Sequence, residues 1–216
     1  MIIAIDGPSG SGKSTTAKGV AKILGITYLD TGAMYRAVTF GMIESNIDSS
    51  DIVSISTYLE QIDISFDLSN HIIFNGVDVS SKIRSREVTS KVSKVSSIKE
   101  VRKKMVNMQR KISSNIDCVI EGRDIGTVVF PNAEYKFFLT ADKLVRARRR
   151  MLEYENIGEK VKLDEVLAGI EERDKYDSTR AHSPLTKAED AITIDSSYLT
   201  IDKQIEFIVN KIRNKK

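Results

Sequence analysis

Ile2-Ile3-Ala4-Ile5-Asp6-Gly7-Pro8-Ser9-Gly10-Ser11-Gly12-Lys13-Ser14-Thr15 is the stretch whose reading decides the fold. Ile2 to Ile5 form a continuous apolar run that ends in an acid and a glycine-rich turn, the pattern of a strand buried on both faces of a parallel sheet. Gly7 to Ser14 then match G-x-x-x-x-G-K-[ST] in full, with a strand before and a helical pattern after, the context this motif requires. The glycines let the backbone turn its N–H groups inward as a nest for phosphate oxygens. A helix that starts near Lys13 adds the positive end of its dipole. The Lys13 ammonium can reach the β and γ phosphates, and the Ser14 hydroxyl can ligate Mg²⁺. Gly7, Pro8, Ser9, Gly10, Ser11, Gly12, Lys13, Ser14 and Thr15 are therefore expected to hold a nucleoside triphosphate. No Asn-Lys-x-Asp guanine signature occurs in the chain, so a GTPase is not expected.

Outward from this loop, a helix is predicted over Lys13 to Leu24, with Gly25 as its stop. A second strand over Ile26 to Leu29 leads into Asp30-Thr31-Gly32 and a helix to about Glu44. Further strands are predicted at Cys118 to Ile120, Tyr135 to Leu139 and Ala191 to Ile194, each followed by helical sequence. Five strands alternating with helices imply a three-layer α/β fold around a five-stranded parallel sheet. The middle of the chain breaks this rhythm. Ile62 to Leu68 and His71 to Val79 alternate apolar and polar, the latter around Asn75-Gly76, a strong hairpin signal. A Ser/Lys-rich helical stretch runs from Ser81 to about Ser113. Residues from about 60 to 113 thus read as an inserted lobe with a small antiparallel sheet, within one domain spanning 1–216.

The 216 residues are 41% apolar and 29% charged, an ordinary globular composition that excludes a disordered tail, a coiled-coil rod and a collagen-like fibre. Thirty-three basic against thirty acidic residues leave a charge of +3, too mild for the basic stripe of a nucleic-acid binder. Cys118 is the single cysteine, so no intrachain disulfide can form, and a reducing compartment is expected. Neither a signal-peptide pattern nor an apolar run of about 20 residues is present. A soluble, cytoplasmic monomer with no membrane or nucleic-acid partner is expected.

Three further constellations bear on the chemistry. Leu29-Asp30-Thr31-Gly32-Ala33-Met34-Tyr35-Arg36 and Glu121-Gly122-Arg123-Asp124-Ile125-Gly126 each follow a predicted strand, where open α/β sheets bind ligands. Each could equally be a capped helix start or strand-end turn. Arg173, Asp177 and Arg180 recur at i, i+4 and i+7, one face of a helix. They form either a phosphate clamp with an acid for a sugar hydroxyl, or a plain ion-pair ladder. Arg148, within the basic run 143–150, reads as solvated, as do Lys211, Arg213, Lys215 and Lys216. His71 and His182 have no Cys or His at metal spacing, and Met105 and Met108 share a helical face with Val101 and Ile112 as core.

These motifs resemble the bacterial cytidylate (CMP/dCMP) kinases of the nucleoside-monophosphate kinase superfamily. The likeness spans Ile2 to about Ile208 and is carried by the phosphate loop, by residues 29–36, by Gly122-Arg-Asp-Ile-Gly-Thr-Val-Val-Phe-Pro131 and by Glu172-Arg-Asp-Lys-Tyr-Asp-Ser-Thr-Arg180. It implies a P-loop kinase core, an enlarged monophosphate-binding lobe with a small antiparallel sheet, and a short lid near 146–160 with Arg146 on the ATP side. It implies cytosine contacts from Ser93, Arg102 and Asp124, with Ser90, Ser96 and Ser97 competing for the serine's place. Sugar and phosphate contacts fall on Thr31, Arg36, Arg123, Arg173, Asp177 and Arg180; Lys13, Arg123, Arg173 and Arg180 are the implied catalytic set. Thr31 stands where serine is frequent and keeps the hydroxyl, whereas Tyr176 removes a charge frequent at its position. The implied reaction is Mg²⁺-dependent transfer of the ATP γ-phosphoryl group to CMP or dCMP, with Glu121 ordering a water on the metal. Two rivals are a P-loop kinase for a hydroxyl acceptor such as shikimate, and a non-catalytic ATP-binding regulator with nucleic-acid affinity.

Overall fold

The computed structural model describes residues 1–67, 69–156 and 158–214. Leu68, Ile157, Lys215 and Lys216, where the sequence places the end of an alternating run, part of the lid and the end of the basic tail, lie outside the described residues. In chain order the elements are β1 (Ile2–Asp6), α1 (Lys13–Leu24), β2 (Thr27–Asp30), α2 (Thr31–Glu44), α3 (Ile52–Gln61), β3 (Ile64–Phe66), β4 (Ile72–Phe74) and β5 (Val77–Asp78). Then follow α4 (Arg86–Val95), α5 (Lys99–Ile112), β6 (Cys118–Gly122), β7 (Tyr135–Thr140), α6 (Lys143–Asn156), α7 (Leu163–Thr179), β8 (Ile192–Asp195) and α8 (Ile201–Arg213). The chain divides into two compact units, Met1–Tyr28 with Asp117–Lys216, and Leu29–Ile116.

The expected five-stranded parallel sheet is present, in the order β2-β6-β1-β7-β8. Ile2 lies opposite Cys118 and Asp6 opposite Gly122, so β1 and β6 end level with each other. This register brings the phosphate loop and the segment starting at Arg123 to the same carboxyl edge, where such sheets bind ligands. In the first unit, Ile3, Ile5, Val119, Phe137 and Leu139 pack against Ala17, Val20 and Ala21 of α1 and Ile205, Ile208, Val209 and Ile212 of α8. The α8 set follows the i, i+3, i+4, i+7 spacing of a single buried stripe. Gly19 permits the close approach of the two helices, since a Cβ there would lie 2.2 Å from Ile205 Cδ1. Cys118 is fully buried in β6, a small hydrophobe as its strand context implies.

In the second unit, Asp30 caps α2 by accepting from the Ala33 N–H at 2.8 Å. The antiparallel sheet β3-β4-β5 stands where the alternating runs place it. Asn75 and Gly76 both have positive φ, 49° and 80°, as a tight hairpin turn demands. The Ser/Lys-rich stretch is helical as expected, in three pieces: a short 3₁₀ turn (Lys82–Arg84), then α4 and α5, which are separated at Ser96–Ile98. Ser96 and Ser97 donate their hydroxyls back to the carbonyls of Ser93 and Lys94, the local competition by which serine ends helices.

Candidate active site

Between β1 and α1 the loop passes through Gly7, Gly10 and Gly12 at φ of 150°, 74° and 87°. A side chain at Gly7 is impossible, because its Cβ would lie 2.0 Å from the Leu139 carbonyl oxygen. The N-terminus of α1 has no side-chain cap and no acid in its first turn, so its dipole is left to an exogenous anion. Lys13 curls back and donates to the Pro8 carbonyl at 2.7 Å, buried, while Ser14 and Thr15 remain exposed. Burial first, then the positive charges of Arg123 and Arg173, pull the Lys13 ammonium down to about 7, against the pull of Glu121 and Asp6. This crowding of cations at an uncapped helix end fits a polyphosphate.

At the end of β1 the buried Asp6 carboxylate accepts two backbone N–H groups, Ile125 at 2.9 Å and Gly126 at 2.8 Å. Burial raises its pKa to about 6 in spite of those bonds. The two amides open a π-helical turn, Ile125–Val129, which fixes the segment carrying Arg123 and the buried Asp124. The buried Glu121, last but one in β6, accepts from the Tyr28 hydroxyl at 2.5 Å.

The structure brings the predicted arginines together around Asp177, buried on α7. Arg123 Nε donates to Asp177 Oδ2 at 3.0 Å, Arg173 lies at 3.9 Å and Arg180 at 4.0 Å. Burial works against the Asp177 charge, yet Arg123, Arg173 and Arg180 together hold the carboxyl below the usual range. Arg180 itself stands just past the helix and donates through Nε to the Ser183 carbonyl. Arg148 is exposed, as read.

In the second unit, Thr31 is buried at the first position of α2, and Arg36 approaches Asp30 at 3.3 Å. Gly32 leaves room for that pair, since a Cβ there would meet Asp30 Oδ1 at 3.1 Å and Arg36 Nη1 at 3.3 Å. The buried Arg102 donates to the Ser96 carbonyl at 3.0 Å and lies over the Tyr35 ring at 5.4 Å. Ser93 is half-buried on α4.

Sequence reasoning gave no role to several groups that the fold places at the loop. Asp6 and Asp174 are among them. Arg146 donates to the carbonyls of Ala141 and Ser9 and makes a two-pronged pair with Asp174 at 3.0 and 2.6 Å. For Asp6 a signal existed: an acid closing a fully apolar strand is costly unless its oxygens are engaged. No group of three or more His, Cys, Asp or Glu residues able to hold a metal occurs among the described residues. Nor is any described helix long and apolar enough to cross a membrane.

A cytidylate kinase family model matches residues 3–214. A cytidylate kinase from Fusobacterium nucleatum is 50% identical over 216 residues, covering 100% of this chain and 99% of that protein. One from Halalkalibacterium halodurans is 46% identical, covering 100% and 98%. Among solved structures, a shikimate kinase from Bacteroides thetaiotaomicron superposes with a TM-score of 0.53 at 12% identity, covering 99% of this chain and 98% of that one. At that identity the likeness concerns the fold alone.

Proposed function

The chain belongs to the cytidylate kinase family, and from that premise we propose that it transfers the γ-phosphoryl group of ATP, with Mg²⁺, to CMP and dCMP. The observation that carries the reading is the buried, depressed Lys13 ammonium in a cluster with Arg123 and Arg173 behind the glycine-rich loop, a concentration of positive charge that suits a polyanion. Mg²⁺-ATP supplies the phosphoryl group, and Ser14, exposed at the start of α1, is the residue that would hold the metal, with Glu121 ordering a water on it. The acceptor needs no general base, because a phosphate monoester with a second pKa of about 6 is already anionic at neutral pH. What the chain contributes is charge and placement. Lys13, Arg36, Arg123, Arg173 and Arg180 offset the repulsion between two polyanions and stabilise the charge spread in the transition state.

Thr31 and Asp177 are assigned to phosphate and sugar, and Ser93, Arg102 and Asp124 to the base. Arg146 serves the ATP side from residues 146–160, the proposed lid; residues 60–113 form the proposed monophosphate lobe. Asp124 is given selectivity because a carboxylate accepts from the cytosine amino group but faces a second acceptor in uracil. A site that hydrogen-bonds its substrate can discriminate by about 10⁴-fold. The test is kcat/KM for CMP and UMP in Asp124→Ala. The CMP-to-UMP ratio should fall steeply, and an unchanged ratio would remove Asp124 from base recognition. A soluble, cytoplasmic, monomeric enzyme is part of the same reading. The hydroxyl-acceptor and nucleic-acid rivals are not favoured, since the full-length relatives carry the name cytidylate kinase.

A further inference from the structure

The phosphate loop must turn its peptide N–H groups inward, and a peptide plane that does so turns its carbonyl outward. Three successive outward carbonyls of the loop are each held from behind. The Ser9 carbonyl accepts from Arg146 Nη1 at 3.1 Å, the Gly10 carbonyl from Arg149 Nη1 at 3.4 Å, and the Ser11 carbonyl from Ser196 Oγ at 2.8 Å. Arg149 also ties the clamp together, donating to Ser196 Oγ at 3.1 Å and to the Ser196 carbonyl at 2.6 Å. Ser196 is fully buried, and its own N–H is fixed on the Thr140 carbonyl at 2.8 Å, at the end of β7.

We propose that Ser196 and Arg149 are positioning residues of the phosphate loop: an outer clamp that fixes the peptide planes at Gly10 and Ser11 so that the inward N–H groups are set for the ATP phosphates before ATP arrives. Neither side chain need touch the nucleotide. The clamp rests on the reading of the loop as the ATP site, and adds to it the cause of the loop's conformation. Glycines at positions 10 and 12 permit the turn but do not choose it, because glycine adopts either sign of φ at similar cost. A loop of such residues needs an external constraint, and Ser196, 185 residues away in sequence, provides it.

Ser196→Ala is the direct test because it removes one hydrogen bond and no charge. Arg149→Lys is the second variant, keeping the charge while losing the fork that spans Gly10 and Ser196. Two measurements are made on the full chain: affinities for AMP-PNP and for CMP by calorimetry, and amide hydrogen exchange of residues 10–14 without ligand. One lost net hydrogen bond corresponds to about a fivefold change. Ser196→Ala should weaken AMP-PNP about five- to tenfold, leave CMP affinity within about twofold, and speed exchange at the loop amides by a similar factor. The Ser196→Ala, Arg149→Lys double variant should lose less than the product of the two single effects, because the groups act as one unit. Unchanged AMP-PNP affinity in a folded Ser196→Ala variant would overturn the proposal, and so would equal losses for AMP-PNP and CMP, which denote general loosening. If the unaltered chain failed to bind AMP-PNP, the ATP reading would fall, while the exchange rates would still decide whether the clamp holds the loop.

Discussion

Replacing Asp177 by asparagine should destabilise the protein far more than the loss of a surface ion pair, because one buried carboxylate serves three guanidinium groups. The residue is 3% exposed, with Arg123 at 3.0 Å, Arg173 at 3.9 Å and Arg180 at 4.0 Å. In a medium of effective dielectric near 20, a unit pair at such separations attracts by about 4 kcal/mol, much of it offset by desolvation. Breaking a buried pair by removing one partner costs about 3–5 kcal/mol. The side chains of Arg123 and Arg173 are 20% and 23% exposed, so water screens part of the lost attraction. The low end, about 3 kcal/mol, is therefore expected, and for a chain of this size that lowers Tm by roughly 6–12 °C. The assay is urea and thermal unfolding of Asp177→Asn against the unaltered chain, with and without inorganic phosphate. Phosphate should recover more stability in the variant, because it supplies negative charge where the Asp177 carboxylate was lost. The pH dependence has a definite sign. The folded Asp177 carboxyl titrates below its ordinary value, so its contribution is complete at neutral pH and is lost in acid. The gap between the two proteins should close below about pH 4. A loss under about 1 kcal/mol, the range of exposed pairs, would refute the reasoning.

The depressed Lys13 ammonium, at about 7, should regain its proton when a polyphosphate binds. Calorimetry at pH 8 in buffers of different ionisation enthalpy should register uptake approaching one proton per ATP, and Lys13→Met should abolish that uptake along with turnover. Because the folded value lies below the ordinary one, the charged form opposes folding below about 7 and the penalty lifts as pH rises towards 10.5. Relative to Lys13→Met, the unaltered chain should accordingly gain stability between pH 7 and 9; parallel curves would contradict the burial argument. Gly41→Ala should destabilise the second unit by about 1–3 kcal/mol or more, read as a lower urea midpoint, since its Cβ would stand 1.9 Å from Tyr58 Oη and 2.6 Å from the Phe74 ring. An unchanged midpoint would mean that α2, α3 and β4 are not packed as described.

What was legible in the sequence was local. The loop motif and the flanking apolar run place β1 and α1 residue for residue at the helix, because motif, cap and stop glycine all lie within one short segment. Asn75-Gly76 announces the hairpin through a backbone requirement that few other dipeptides meet. The Ser/Lys stretch reads as helical, but its break at Ser96–Ile98 has no such marker, since it arises from hydroxyls bonding back to nearby carbonyls. The spacing of Arg173, Asp177 and Arg180 is readable as a face, but Arg123, which completes the ring around Asp177, lies 54 residues away. Asp6 and Ile125 are 119 residues apart, and Tyr28 and Glu121 are 93 apart. No period or motif links such pairs; the parallel register of β1 and β6 brings Asp6 to Ile125, and the place of β2 beside β6 brings Tyr28 to Glu121.

The central claim, phosphoryl transfer from ATP to a cytidine monophosphate, is tested most directly by kcat/KM measured with Mg²⁺-ATP against CMP, dCMP, UMP, AMP, GMP and shikimate. Rapid, Mg²⁺-dependent formation of CDP and dCDP is expected, with UMP far behind and the purine monophosphates and shikimate inert. Preferential phosphorylation of shikimate, or ATP binding with no transfer to any monophosphate, would contradict it.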